Sequence, residues 1–538
     1  MPSVLLKYQR WTTPFLLLTA GIFIFYPYLN FQFIFSQADH GHQLYVFKKT
    51  FDGALPYRDY VWAYGPLMPY YYSIFFRMFG IDIQSILLGK MAFSLLVGFL
   101  FYLNLSTLFT PLIALIGTIW FWTFCPDFFY TYNHIAGIAF SFATTYFLFR
   151  YYETLDKKYF FLSLTSVFLV NLVKLNIGLG TLLAFCASLV IINFMKRAPR
   201  AKLRFRTSFL SIACTFFLVL GVYLFFNSGI PLEYIRQNFP FLGADRPFHL
   251  SLGGSMQIIW QNHLLKFLET PFNAIFAVLV ACSAIQTFLF LAQKPLKSGR
   301  KRQIQATIFI LVFFFVINLH EFLLSGIHFT LLWAMPFLFL LTVIFLAVGT
   351  QKFPAFFRLI LFGAILLMAF LRIAEQHRLI AYYKSPGQYL PWDRAKIYTA
   401  NPPAWMATVG TTTEYLRNHL GPDETFLAIP FEPLYFFLTK KDSPVYQLAF
   451  YKFNNITMKM ENDIIRQLEQ KKVNWIVLSS FFRSGLPALG FFGKTHCQLL
   501  FHYIEKHFTI VTGFGDWQSK PVWGGSHGVI ILKRIQQN

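Results

Sequence analysis

The chain carries about eleven apolar runs, each near the length needed to cross a hydrocarbon layer of about 30 Å. They fall at 12–29, 83–103, 107–125, 135–152, 159–173, 176–195, 208–226, 272–292, 304–320, 328–349 and 354–373. Lipid offers no hydrogen bonds to a backbone, so a run that crosses it does so as a helix, which satisfies its own N–H and C=O groups. In soluble proteins charged residues make up about a quarter of the chain. Here they make up 13%, against 56% hydrophobic. The expected class is a polytopic α-helical membrane protein with about eleven transmembrane helices.

Positive charge sets the orientation. The net charge is +23, a value that in a soluble chain points to nucleic acid, but it is concentrated in the connections. KRAPRAKLRFR (Lys196–Arg206) and KPLKSGRKR (Lys294–Arg302) are the densest clusters, and Lys157, Lys158 and Lys352 stand in other alternate connections. Short loops rich in Lys and Arg stay cytoplasmic, so topology explains the charge and no nucleic-acid partner is expected. The N-terminus is then cytoplasmic, and 30–82 and 227–271 lie on the outer side. The first run follows Lys7 and Arg10, is too long for a signal-peptide core and lacks a small-residue cleavage site, so it reads as a retained span. Five cysteines show neither metal-ligand spacing nor a disulfide framework. An odd number of spans puts everything after Ile373 outside as well.

That last portion loses the apolar repetition. After Pro-rich linkers (SPGQYLPWDR, ANPPAW) come ETFLAIP, NWIVLSS, FTIVTGFG and HGVIILKRI, which read as short strands. TMKMENDIIRQLEQKK has apolar residues near a period of 3.6, as in an amphipathic helix. The expected organisation is a transmembrane domain over 1–373, including the first outer loop 30–82, and a soluble periplasmic α/β domain over 374–538. Such a domain does not declare its task, and a lid or scaffold for the membrane part is the simpler reading.

A connection of about fifty residues is long, and usually functional when it is ordered. ADHGHQLYVFKKTFDGALPYRDYVWAYGPLMPYYY (Ala38–Tyr72) is too rich in Tyr, Phe, Trp and Leu for disorder. HQLYVFKKTF (His42–Phe51) and GPLMPYYYSIFFRMFG read as amphipathic helices at the membrane interface. Between them DGALPYRDY is a compact turn that sets Arg58 between Tyr57 and Asp59. Asp39 begins the first helix. A carboxylate there can take a proton from an acceptor hydroxyl. It also stabilises its own helix by about 0.3–1 kcal/mol through the macrodipole, and on the residue alone the two readings stand level.

Two more polar residues mark the outer side. Lys174 (NLVKLNIGLG) lies between the fifth and sixth runs, and His328 (SGIHFTLLWAMP) opens the tenth after His320 and Glu321 close the ninth. A lysine at that depth is costly unless it snorkels or meets an anion. Arg58, Lys174 and His328 are therefore expected to converge on an anionic headgroup, with phosphate the obvious candidate. Taken singly, each is also an ordinary interfacial anchor. Asp127, near Tyr132, Asn133 and His134, either binds an acceptor, assists the base or caps a helix. Lys90, two turns inside the second run, is expected to snorkel outward, and MQIIWQNHLLKFL (Met256–Leu268) reads as a further interfacial helix.

One span, a long outer loop with an early Asp, and the string DG.LPYRD…YGPL.YY…FG together resemble the GT-C superfamily of polytopic glycosyltransferases. The likeness is to bacterial relatives of protein O-mannosyltransferases and of lipid A aminoarabinose transferases. It extends over the chain: VKLNIGL near the sixth run, HF…P opening the tenth, and an outer C-terminal α/β part. The resemblance implies an enzyme of the bacterial inner membrane that takes a sugar from a polyprenyl-phosphate donor, assembled inside and flipped. It implies transfer on the outer face, with inversion, to a hydroxyl of a glycolipid, glycan or protein.

In that scheme Asp39 is the general base. Many relatives carry Asp-Glu at this place; here the pair is Asp39-His40, leaving Asp52 or Asp59 to supply a second carboxylate. Arg58, Asp59, Tyr57, Tyr64, Asp127, Lys174 and His328 are the implied substrate-binding residues, the cations on the departing phosphate and Tyr57, Tyr64 and Trp62 against sugar or prenyl units. No cofactor is implied; some relatives use a divalent metal, but no ligand set is seen here. The rival classes are a lipid-linked substrate transporter or flippase and a polysaccharide ligase or polymerase. Transporters often show repeated halves with polar residues near the midplane, and this sequence shows no internal repeat.

Overall fold

A computed structural model describes residues 2–29, 37–123, 132–195, 205–239, 271–292, 299–325, 328–351, 353–375, 383–385, 387–399, 404–483, 489–521 and 525–536, with isolated positions between 254 and 269. At 2–11, 28, 205, 271–273, 324, 325, 328–330 and 375 it describes the backbone alone.

Each apolar run is helical over most of its described residues. The first forms α1 (Pro2–Phe25), and the polar loop after it folds into α2 (Asp39–Phe51) and α3 (Leu67–Phe79). Then come α4 (Ile83–Ser106), α5 (Pro111–Trp122), α6 (His134–Thr154), α7 (Lys157–Val173), α8 (Leu175–Met195) and α9 (Phe205–Phe226). A short α10 (Leu232–Asn238) precedes α11 (Pro271–Ala292), α12 (Gly299–Asn318), α13 (His320–Ser325), α14 (Met335–Gly349) and α15 (Ala355–Glu375). Among the described residues 6 helices are long and apolar enough to cross a membrane, and Thr12–Phe25, Pro111–Trp122 and Met335–Gly349 are shorter apolar helices.

Beyond α15 strands appear. β1 (Gln388–Tyr389) pairs with β2 (Tyr398–Thr399), followed by α16 (Ala404–His419), β3 (Phe426–Ile429), α17 (Leu434–Thr439), α18 (Met458–Gln470), β4 (Trp475–Ser479), α19 (Gln498–His507), β5 (Phe508–Gly515) and β6 (Gly528–Arg534). The four segments expected to be strands are strands, and the expected amphipathic helix is α18. Sheet order is β3-β4-β6-β5, with β3 parallel to β4 and the other two pairs antiparallel. β3 and β4 are buried along their whole length, whereas most of β5, at one edge, is exposed or half-buried. Ile429, Ile464, Leu468, Ile476, Leu500 and Ile504 from the sheet, α18 and α19 form the core.

The chain folds as two compact units, Met1–Pro27, Lys90–Val222 and His249–Lys384 in one, Tyr28–Gly89, Tyr223–Phe248 and Ser385–Asn538 in the other. In the first, aromatic rings and a few polar side chains lock helix to helix. Phe101 of α4 stacks on Phe121 of α5 at 4.4 Å. Buried Asn104 of α4 donates to Phe142 O (3.0 Å) and accepts from Thr145 Oγ1 (2.9 Å), both on α6, the kind of polar glue that joins helices where no hydrophobic drive separates protein from lipid.

The second unit joins the first outer loop to the C-terminal residues. The division at 373 drawn from sequence grouped loop 30–82 with the spans; by its contacts the loop packs with the C-terminal portion. Ser443 N donates to Tyr45 Oη at 2.8 Å, Lys49 pairs with Asp442 at 3.3 Å, and Lys396 pairs with Asp82 at 2.8 Å. Phe47 of α2 stacks on Tyr72 of α3 at 4.6 Å. The closest approach is at Gly41, where a Cβ would stand 2.6 Å from Leu434 Cβ and 2.9 Å from its backbone nitrogen. Gly41→Ala is expected to cost about 1–3 kcal/mol of stability through overpacking, read by thermal unfolding in detergent. Gly363→Ala on α15, where an added methyl meets open space, is expected to stay within about 1 kcal/mol of the parent.

Candidate functional site

In the spanning unit, polar groups gather where helices end. The chain leaves α7 in an extended conformation at Lys174 (φ −156°, ψ 114°) and re-enters a helix at Leu175, so Lys174 sits at the junction of α7 and α8. Its ammonium donates to Glu321 Oε1 of α13, which also accepts from Asn176 Nδ2 at 2.6 Å. The ammonium lies 5.6 Å from the Trp333 ring centre. Trp333 in turn packs edge-on against His134 at 4.9 Å and lies flush on Gly137, whose Cβ would be 2.5 Å from the indole.

A second lysine joins this region. Lys90 was expected to snorkel outward; instead it is 1% exposed, with its ammonium 5.4 Å from the Tyr132 ring centre. The turn Tyr132–Asn133–His134 thus has Lys90 on one residue and, through Trp333, Lys174 on another. Both amide atoms of fully buried Asn133 and the Trp333 indole N–H have no hydrogen-bond partner among the described residues. Two ammonium groups and unsatisfied N–H donors in an apolar surround make an arrangement suited to an anion. Asp127 and most of Met256–Leu268 lie outside the described residues. His328 opens a 3-10 turn, His328–Trp333, and only its backbone is described.

The second unit holds Asp39, Tyr57, Arg58, Asp59 and Tyr64. Asp39 is the first residue of α2 and half-buried. Next to it the helix turns inward: His40 is 0% exposed. His42 Nε2 lies 3.2 Å from Val61 O, and its ring sits between Trp62 (5.6 Å) and Phe431 (5.5 Å). Arg58 and Asp59 pair with each other on the surface, Nε to Oδ1 at 3.1 Å, while Asp59 Oδ2 accepts from Leu55 N at 2.7 Å and closes the turn. Arg58 and Lys174 belong to different compact units.

Several expectations change here. Tyr57 and Trp62, expected to stack on substrate, are fully buried. Tyr57 takes a positive φ of 67°, donates its hydroxyl to Tyr64 O, and stacks on Phe239 at 5.5 Å. Its ring shapes the loop and leaves no face for a sugar. Trp62 is tied through its indole N–H to Gly65 O at 2.9 Å, and Tyr64 alone of the three is partly exposed. Asp52 pairs with Lys48 beyond the far end of α2, about 20 Å along the helix from Asp39. Asp59 lies near that same end, since Tyr60 Oη meets Thr50 Oγ1 at 2.6 Å. Neither supplies a carboxyl beside Asp39.

No family model matches the chain, and no curated protein matches it in sequence. Among the solved structures that share its architecture are two with a lipid phosphate bound. One is ArnT from Cupriavidus metallidurans bound to undecaprenyl phosphate, with a TM-score of 0.58, 10% identity, and 96% of this chain and 97% of that chain covered. The other is the archaeal oligosaccharyltransferase AglB from Archaeoglobus fulgidus, in complex with an inhibitory peptide and a dolichol-phosphate. It gives a TM-score of 0.51, 11% identity, and coverage of 94% and 73%. The chain shares the fold of these two proteins. Within that fold the residues that sequence reasoning missed are Lys90 as an inward group, Glu321 as the partner of Lys174, and Trp333. The aromatic after HFTLL gave a hint of Trp333; nothing local marked the others.

Two measurements probe these arrangements. Removing one partner of a buried ion pair costs about 3–5 kcal/mol, so Glu321→Leu is expected to destabilise the spanning unit by that order. Lys174→Met added to it should restore most of the loss in a double-mutant cycle read by unfolding in detergent. Burial holds His42 and His527 each at about 4, below the usual 6.5. As pH falls below 6.5 the unfolded chain takes up protons that the folded chain refuses until about 4. The stability they contribute is therefore complete above 6.5 and lost as pH falls through 4. The unfolding midpoint should fall over that window, and His42→Phe with His527→Phe should flatten the fall.

Proposed function

We propose that the protein is an integral membrane glycosyltransferase of the bacterial inner membrane. It would move a sugar from a polyprenyl phosphate to a hydroxyl of a glycolipid, glycan or protein on the outer face. The carrying observation is the polar cluster around Tyr132–Asn133–His134. An apolar helical bundle has drawn in two ammonium groups and unpartnered N–H donors, in a fold shared over nearly its whole length with a protein bound to undecaprenyl phosphate. The reading includes eleven spans, a cytoplasmic N-terminus and an outer location for the Asp39 unit.

The chemistry follows from the leaving group. A lipid phosphate departs as an anion and needs charge stabilisation more than a proton, and donors fixed in a water-poor site supply it without reorganising. Lys174 and Lys90, with the Asn133 amide and the Trp333 N–H, are placed in that role. Lys174 meets the phosphate by exchanging partners, since Glu321 now occupies it. Asp39 accepts the proton of the attacking hydroxyl. Attack opposite the phosphate inverts the anomeric centre. Arg58, Asp59, Asp127 and His328 remain assigned to substrate binding, with Tyr64 the aromatic available to a sugar.

The test is incubation of purified protein with a panel of radiolabelled polyprenyl-phosphate sugars and envelope acceptor fractions. Label is expected in an acceptor. Asp39→Asn should reduce transfer by about 10²–10⁴-fold while the protein still folds, and Lys174→Ala should raise the KM for donor. Labelled lipid that crosses vesicles with no transfer to any acceptor would instead identify a carrier, and undiminished transfer by Asp39→Asn would remove it as base.

A further inference from the structure

A second group of cations lies at the other end of the spanning unit, outside the mechanism above. Arg300, Lys301 and Arg358 line one cavity of about 300 Å³, with Thr110 and Gln351 beside them. No acidic side chain lines it among the described residues. Lys301 is 4% exposed, with its ammonium 5.0 Å from the Phe290 ring centre. Arg300 Nη2 donates to Leu108 O at 3.2 Å, which holds the guanidinium at the cavity wall. Glu153, in the last turn of α6, is engaged by Arg150 and by Gln303 of α12.

The backbone at this place favours an anion as well. Three helices begin around the cavity, α5 at Pro111, α12 at Gly299 and α15 at Ala355, and none has an acidic residue in its first turn. A helix N-terminus carries positive partial charge, so an anion there is stabilising and a cation is not. Yet Arg300 and Lys301 stand in the first turn of α12, and Arg358 is the fourth residue of α15. Like charges gathered against three positive helix ends repel one another unless an anion sits among them.

We propose that this cavity holds the phosphate of an anionic phospholipid headgroup. Guanidinium forks grip phosphate oxygens in pairs, and a lysine adds a point charge. A free phosphate shares that chemistry, but the surroundings favour lipid. Phe356 and Leu359, which flank Arg358 along α15, are 73% and 69% exposed, and Leu112, next to the lining residue Ile113, is 62% exposed. Large apolar side chains on the outside of an apolar bundle are a surface for acyl chains, which sets the mouth of the cavity at headgroup depth. Basic pockets between spanning helices on the cytoplasmic side take anionic headgroups. Arg300 and Lys301 belong to KPLKSGRKR, a string whose charge reads as cytoplasmic.

This ligand is distinct from the polyprenyl phosphate proposed above. α12 leads from Arg300 and Lys301 to α13, where Glu321 pairs with Lys174, about 30 Å further along the helix axis. That rise matches the thickness of a hydrocarbon layer, so the two groups of cations belong to opposite leaflets. One serves a reacting phosphate; the other serves a resident lipid whose charge ties the starts of α5, α12 and α15 together.

The test uses the full-length protein, delipidated in a non-ionic detergent and titrated with phosphatidylglycerol, phosphatidylcholine or inorganic phosphate, with bound species counted by native mass spectrometry. Phosphatidylglycerol should bind in preference to phosphatidylcholine. Arg300→Gln, Lys301→Gln and Arg358→Gln together should weaken its binding about 100-fold. Lys157→Gln, Lys158→Gln and Arg206→Gln remove the same charge from exposed positions that do not line the cavity, and should weaken it less than about threefold. Arg358→Glu, a change at an exposed position, should by itself weaken binding about tenfold or more, and it serves where the triple variant does not fold. Equal loss in the two triple variants, undiminished binding in Arg358→Glu, or no preference over phosphatidylcholine overturns the proposal. Inorganic phosphate that displaces the lipid at equal concentration assigns the cavity to a free anion and overturns it as well. These readouts do not involve sugar transfer, so they stand whether Asp39→Asn is active or inactive.

Discussion

The absence of a side chain at position 41 governs the second unit. Because Gly41 has no Cβ, α2 comes within van der Waals reach of the Leu434 backbone, and everything on that face of α2 acquires a C-terminal partner. Tyr45 meets Phe436 at 5.3 Å and receives Ser443 N; Lys49 meets Asp442. Residues that begin the chain and residues near its end become one packed body. A loop at a membrane interface would otherwise be held only by its own turns. Here Asn238, from yet another segment, accepts from Trp62 N at 3.0 Å, and Tyr446 donates to Tyr57 O at 2.5 Å. The position of Asp39 is thus fixed by contacts supplied from three separate stretches of sequence.

The spanning unit meets the opposite problem, how to keep charge in an apolar medium. Lys174 and Glu321 answer it by pairing, with Asn176 satisfying the same carboxylate oxygen and the Trp333 face covering the ammonium. A pair like this holds little net stability against an apolar substitute, because desolvating both ions offsets their attraction. Lys90 is the complementary case, buried against Tyr132. A lysine in the second turn of a spanning helix has enough stem to reach water, so its inward direction means that the turn carrying Tyr132 determines it more than the helix does.

How much of this was legible follows from the range of the forces. Periodicity and length are local properties, and they were sufficient to mark the apolar segments as helical, 6 of them among the described residues long enough to cross a membrane, and to find α2, α3 and the four strands of the C-terminal sheet. The first-loop string also carried enough to reach the fold. Direction within a helix is not local: Lys90 reads the same whether it snorkels or buries. Tyr57 read as an interfacial aromatic because nothing nearby announces that Phe239 and Tyr446 will enclose it.

The pair Asp39-His40 at the start of α2 has a geometric logic. Successive residues on a helix point about 100° apart, so two consecutive side chains cannot both face one substrate. One of the two must turn toward the packing. In this chain it is position 40, where His40 is completely buried while Asp39 stays half-open. A carboxylate at position 40 would be sealed in the same place as the imidazole, with its charge uncompensated unless a partner were built for it. A histidine there is compatible with burial because it can be neutral. The element that crosses the start of α2 is the 430–434 turn, where Leu434 lies against Gly41.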